Sequence, residues 1–141
     1  MISKLLTAWG LLALTVTIHA AGLSAVVSRG SSRTPNTRFW PVTGLLVEVA
    51  GWLVLLHLAE IAVWALFYWW QKCLPDAESS FYFSGVTYTT VGYGDLVLPK
   101  EWRLLGSVEG LTGILMCGLS TGLFFALVSR LLVRGPTAIK S

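Results

Sequence analysis

Residues 89–95 read Thr-Thr-Val-Gly-Tyr-Gly-Asp, with Gly92 and Gly94 alternating with larger residues. Glycine reaches left-handed backbone conformations freely, whereas residues with a side chain reach them only with strain. A backbone folded in that way can aim successive carbonyls to one side, and a set of carbonyls can replace the water shell of a cation. The chemistry on offer is therefore coordination by the peptide itself, with no covalent step. A second set of reactive side chains sits in apolar surroundings: His19, Glu48, His57, Glu60 and Glu109. Ionisable groups there are expensive, so each implies a structural clamp or a functional site. His57 and Glu60 stand three apart on one helix face, placed to bond each other, to reach a neighbouring helix or to sense pH. His19 and Glu48 fall within about one helical turn of each other in depth, which would join two helices. Cys73 and Cys117 lie in separate segments with no metal or redox spacing around them and read as small buried hydrophobes.

The elements that must position these residues belong in a membrane. Of 141 residues, 55% are hydrophobic and only 12% charged, and the mean hydropathy is +0.71. Residues 5–27 form an apolar run long enough to cross the hydrocarbon core. Residues 28–41 form a polar loop with Arg29, Arg33 and Arg38, and residues 42–70 form the second crossing. That crossing ends in Trp64, Phe67, Tyr68, Trp69 and Trp70, an aromatic cluster suited to the membrane interface. Residues 79–89 could make only about three helical turns, too few to span. A short helix followed by extended backbone at membrane depth is tolerated where protein or a water-filled cavity surrounds it, so this segment reads as re-entrant. Residues 102–133 form the third crossing. The fold class is an all-α membrane protein with three transmembrane helices and a re-entrant helix. It divides into an N-terminal helix and loop (1–41), two crossings with the re-entrant helix between them (42–134) and a short tail (135–141).

Charge orients the chain. Arg29, Arg33 and Arg38 share one loop and Arg130, Arg134 and Lys140 follow the last crossing, with no acidic residue among them. Both groups belong in the cytoplasm by the positive-inside rule. On the other side Lys4, Lys72, Lys100 and Arg103 are offset by Asp76, Glu78, Asp95 and Glu101. The expectation is a multi-pass protein of the inner cell membrane, N-terminus outside and C-terminus cytoplasmic. Lys4, the following apolar run and Ile18-His19-Ala20 also fit a cleavable signal peptide. Cleavage would leave the arginine loop outside, against the charge count, so a retained first helix is the reading adopted. The net charge of +3 comes without a block of like charges, which excludes a nucleic-acid partner. No nucleophile context, metal-ligand cluster or phosphate-cradling loop indicates an enzyme.

Residues 43–133 resemble the pore module of the potassium-channel superfamily, in particular small bacterial two-helix channels. The likeness is carried by Phe81-Tyr82-Phe83-Ser84, by Thr89 to Asp95, by Pro99 and by Gly113. It implies an outer helix, a pore helix, a selectivity filter and an inner helix, assembled as a homotetramer in the lipid bilayer, with no regulatory partner specified. It also implies that Thr90, Val91, Gly92, Tyr93 and Gly94 form the filter, with carbonyls coordinating potassium and no other cofactor. Tyr93 would pack away from the pore against Tyr82 and Phe83, with Val86 and Thr89 also supporting the filter and Asp95 at the outer mouth. Many relatives carry a glutamate where this chain has Val86. Gly113 matches a hinge position for gating, while Gly106/Gly110 and Gly118/Gly122 suit close helix approach. The implied function is passive potassium conduction; the alternatives are a weakly selective cation channel or a non-conducting membrane subunit. No series of arginines spaced by three suggests a voltage sensor.

Overall fold

Long apolar runs have no backbone partner but themselves in a bilayer, and helices satisfy every peptide group internally. A computed structural model describes residues 2–31 and 39–133. The described residues form α1 (Ile2–Ser31), α2 (Phe39–Trp70), α3 (Ala77–Tyr88) and α4 (Arg103–Val133). Helices α1, α2 and α4 are long and apolar enough to cross a membrane, whereas α3, with 12 residues, is about 18 Å long and is not. The expected three crossings and one short helix are all present. Helix α2 begins earlier than expected because Pro41 lies in its first turn, where a missing N–H costs nothing. Arg33, Arg38, Arg134 and Lys140, on which the orientation leans, lie outside the described residues.

Helix α2 ends with Lys72 in the left-handed region, φ 55°. Cys73 N–H donates to Tyr68 O at 2.9 Å and Lys72 N–H to Trp69 O at 3.0 Å, closing the last carbonyls. Four residues on, Asp76 caps α3: its Oδ1 accepts from Ser79 N–H at 2.7 Å. That hydrogen bond holds the Asp76 carboxyl below its ordinary range, and a negative charge there suits the positive helix end.

Helix α3 packs against both α2 and α4, and α1 packs against the same two helices from another side. The main core joins Ala8, Trp64, Tyr68, Cys73, Leu74, Leu98 and Leu105. Around Tyr68, the rings of Phe67 and Phe83 meet it edge-on. The aromatic cluster at the end of α2 is therefore split. Trp64 and Tyr68 are buried while Trp69 and Trp70 are exposed, because successive helical positions point in different directions. At the start of α1, Lys4 Nζ donates to Glu101 O at 2.8 Å and lies 4.7 Å above the Trp102 ring. The beginning of α1 thus shares an end of the bundle with the loop that follows residue 95.

Two glycines explain how closely α3 and α4 approach. A Cβ at Gly113 would overlap the Tyr88 carbonyl oxygen and come within 2.8 Å of its carbon; one at Gly110 would meet Thr87 O at 3.3 Å. Gly118 and Gly122 face open space within the chain. The close-approach glycines are therefore Gly110 and Gly113, against α3, and α4 runs unbroken through Gly113.

Candidate functional site

The segment 89–95 springs directly from the C-terminus of α3. Thr89 caps the helix, its N–H bonding to Gly85 O at 3.1 Å, and its hydroxyl donates to the same carbonyl at 2.7 Å. Thr90 N–H donates to Thr87 O at 3.0 Å, and Val91 and Gly92 N–H both donate to Val86 O, at 3.0 and 3.2 Å. Carbonyls orphaned at the helix end are thus answered by the first amides of the extended segment. Val86 supports the segment through its backbone oxygen.

Positive φ falls on every second residue: Thr90 at 63°, Gly92 at 57° and Gly94 at 77°. The two glycines take the conformation the sequence assigns to them, and Thr90 joins them. A β-branched residue in this region is a genuine outlier. Alternation of right- and left-handed residues gathers N–H groups on one side of a chain and leaves carbonyls to the other. All of residues 89–95 are exposed in the single chain.

Behind this segment lies a cavity of about 340 Å³ lined by Tyr82, Phe83, Val86, Gly92, Gly94 and Gly106 among others. Tyr82 OH donates to Asp95 Oδ2 at 2.7 Å. This bond lowers the Asp95 carboxyl from its ordinary range and raises the Tyr82 phenol. A tyrosine of α3 therefore holds the aspartate. Phe83 turns its edge to Tyr68 instead, with ring centres 5.4 Å apart. Tyr93 is 72% exposed, so within one chain it is not packed against Tyr82 and Phe83 as the resemblance implies.

A second polar region is buried. Glu60 Oε1 and His19 Nδ1 share a hydrogen bond at 2.8 Å, and Tyr88 OH donates to Glu60 Oε2. His57 Nδ1 lies 3.0 Å from Tyr88 OH and 3.7 Å from Glu60 Oε2. His19 Nε2 is 3.4 Å from Ser120 Oγ. One layer away, Glu109 accepts from Tyr68 OH at 2.8 Å and from Ser84 OH. Trp64 Nε1–H donates to Thr15 Oγ1 at 3.1 Å. No buried side-chain nitrogen or oxygen among the described residues lacks a partner.

His57 and Glu60 do come together, with Tyr88 between them. The proposed partnership of His19 with Glu48 does not form: Glu48 is exposed and His19 meets Glu60. The error is one of register, about 12 residues or about 18 Å along α2. Depth counted from apolar runs assumes helices that start level, whereas side-chain bonds fix Thr15 opposite Trp64 and His19 opposite Glu60. The part that Thr15, Tyr68, Ser84, Tyr88 and Ser120 play in the buried polar region was not legible in the sequence. Hydroxyls in apolar helices usually bond the carbonyl one turn back, as Thr17, Ser24 and Thr121 do here, so their presence carries little signal. Cys73 and Cys117 are free thiols, Cys73 buried as expected and Cys117 exposed instead, and burial pushes the Cys73 thiol up, away from reactivity.

Three long apolar helices, two of them packed against a short helix that feeds an exposed backbone with alternate left-handed residues, define a membrane protein. A family model described as an ion channel matches residues 52–130. That is more than half of the chain, and the chain belongs to this ion channel family. The match takes in most of α2, all of α3 and the loop after it, and most of α4; α1 lies outside it. Neither a curated protein nor a solved structure gives a match.

Proposed function

We propose that this chain is a potassium-selective channel subunit that conducts potassium passively through a pore formed by four copies. The observation that carries the reading is the left-handed backbone at Thr90, Gly92 and Gly94, within Thr-Thr-Val-Gly-Tyr-Gly-Asp, at the end of a helix too short to span. Carbonyls of Thr90, Val91, Gly92, Tyr93 and Gly94 would coordinate successive ions, potassium being the only cofactor, and the Thr90 hydroxyl would complete the innermost site. Asp95, kept charged by Tyr82, would concentrate cations at the mouth. Fourfold assembly is supported by what one chain leaves open. Its filter segment is exposed, and Leu111, Ile114, Leu115 and Phe125 of the inner helix are exposed as well. Tyr93 then has a neighbouring subunit to pack against. Carbonyl dipoles at the C-termini of four α3 helices would favour a cation in the cavity beneath.

The first loop and the tail would face the cytoplasm of the cell containing this inner membrane, with the filter opening outward. A pore of this kind performs no covalent reaction.

The test is potassium flux through purified protein in liposomes, with sodium as competitor and Gly92→Ala as control. Gly92 has open space around its Cβ position, so alanine there acts through the left-handed backbone, a strain of about 1–2 kcal/mol. Selective flux abolished by the substitution is the expected result. Comparable sodium and potassium flux would replace this reading with a weakly selective cation channel. A folded tetramer that passes no ion would replace it with a non-conducting subunit.

A further inference from the structure

We propose that His19, His57 and Glu60 form a binding site for a divalent transition-metal ion of the zinc class. One ligand atom from each of the three lies within 4.8 Å of those of the others. Two imidazole nitrogens and a carboxylate oxygen are the donors that suit zinc and its borderline neighbours, whereas magnesium and calcium prefer all-oxygen sites. Tetrahedral coordination with bonds of about 2.0–2.1 Å sets ligand atoms about 3.3 Å apart. His19 Nδ1 lies 2.8 Å from Glu60 Oε1 and His57 Nδ1 lies 3.7 Å from Glu60 Oε2, so the two imidazoles approach the two oxygens of one carboxylate at separations close to that value.

The surroundings resemble a supported metal site more than a chance cluster. His57 and Glu60, spaced i, i+3 on α2, present two ligands from one helix face, a device used by metal sites in helical bundles. His19 brings the third from α1, and its other ring nitrogen is held by Ser120 of α4 at 3.4 Å. Such an outer partner fixes the ring and its tautomer. Tyr88 OH, bonded to Glu60 and 3.0 Å from His57, orients the carboxylate and is close enough to serve as the fourth ligand. Glu60 is fully buried, where a cation offsets the cost of its charge.

An ion bound here ties α1 to α2 beside Tyr88, the residue that precedes Thr89. Control of conduction from this position rests on the channel reading above; metal binding does not.

Untagged protein in detergent, stripped by chelator, is titrated with Zn2+ alone against a chromophoric competitor, with Mg2+ in parallel. The expected result is one Zn2+ per chain and no Mg2+. His57→Gln spares the buried His19–Glu60 bond and should weaken Zn2+ binding at least about 100-fold, since loss of an outer-shell partner alone costs about 10–100-fold. Zn2+ should raise the thermal midpoint of the original chain and leave that of His57→Gln unmoved, because the ion binds the folded state. Folded wild-type protein that takes up no stoichiometric Zn2+ overturns the proposal and leaves the cluster a hydrogen-bonded clamp. Binding equally strong in His57→Gln and in His19→Gln overturns it too, by moving the ion elsewhere. Neither readout depends on flux, so failure of the site and failure of the channel reading are told apart.

Discussion

Two polar regions meet on α3 and are built on opposite principles. Residues 89–95 are exposed and depend on backbone geometry: alternate left-handed residues, and amides tied to Val86 O. The network of Thr15, His19, Glu60, Trp64, Tyr68, Ser84, Tyr88 and Glu109 is buried, its backbone is ordinary helix, and the bonds that join its residues run between side chains. The first is assembled from consecutive residues. The second joins groups as distant in sequence as His19 and Ser120, 101 positions apart. A buried hydrogen bond contributes only about 1 kcal/mol net, but a buried donor left without its partner costs more than that. The network therefore acts chiefly as a register lock: a helix that slips by one turn leaves several polar groups unpaired at once. That lock holds the helix whose end carries the segment 89–95.

The most severe way to break this contrast is to remove a hub of the lock. Glu109→Leu strands the Tyr68 hydroxyl, at about 1–3 kcal/mol, while Ser84 keeps Ile61 O as acceptor at 2.9 Å. Thermal melting of solubilised protein should show that loss, while Glu109→Gln, still an acceptor, should lose far less. Equal stability of the leucine variant and the original would remove the lock. Next comes Gly113→Ala, whose new methyl overlaps the Tyr88 carbonyl; overpacking of this kind costs about 1–3 kcal/mol. Because Tyr88 adjoins Thr89, this change reaches the exposed segment and does not isolate a hinge in α4. Gly10→Ala, with open space around it, should instead stabilise by up to about 1 kcal/mol.

A smaller effect separates hydroxyls that lock helices from those that do not. Thr15→Val removes the acceptor of the Trp64 N–H and should cost about 1 kcal/mol or somewhat more. Thr17 bonds only within its own helix, to Ala13 O, and Thr17→Val should stay within about 0.5 kcal/mol of the original. The smallest change belongs to the exposed region. Tyr82→Phe deletes the donor that lowers the Asp95 carboxyl. A carboxyl whose folded pKa is depressed contributes stability above its unfolded value of about 3.9, lost as pH falls through the lower folded value. The variant should therefore lose the Asp95 charge at a higher pH. Flux recorded on the acid side would show its decline displaced upward in pH, and coincident profiles would mean that the bond has no influence at the mouth.

The sequence by itself determined the three crossings, the short helix with its start near Asp76, and the glycines that fold left-handed. Each is a local matter: apolar length sets whether a helix can span, a capping side chain acts on amides in the next turn, and glycine lacks the Cβ that forbids positive φ. Only the tertiary structure decided that Thr90 shares the left-handed alternation, that Tyr82 holds Asp95, and that Gly113 clears the Tyr88 carbonyl. It also moved the partner of His19 from Glu48 to Glu60 and drew Tyr88 into the same cluster. Those contacts depend on how far one helix slides and turns against another. Hydropathy is nearly unchanged by a slide of one turn, whereas a hydrogen bond is lost within about an ångström, so the register could be read only from the packed side chains.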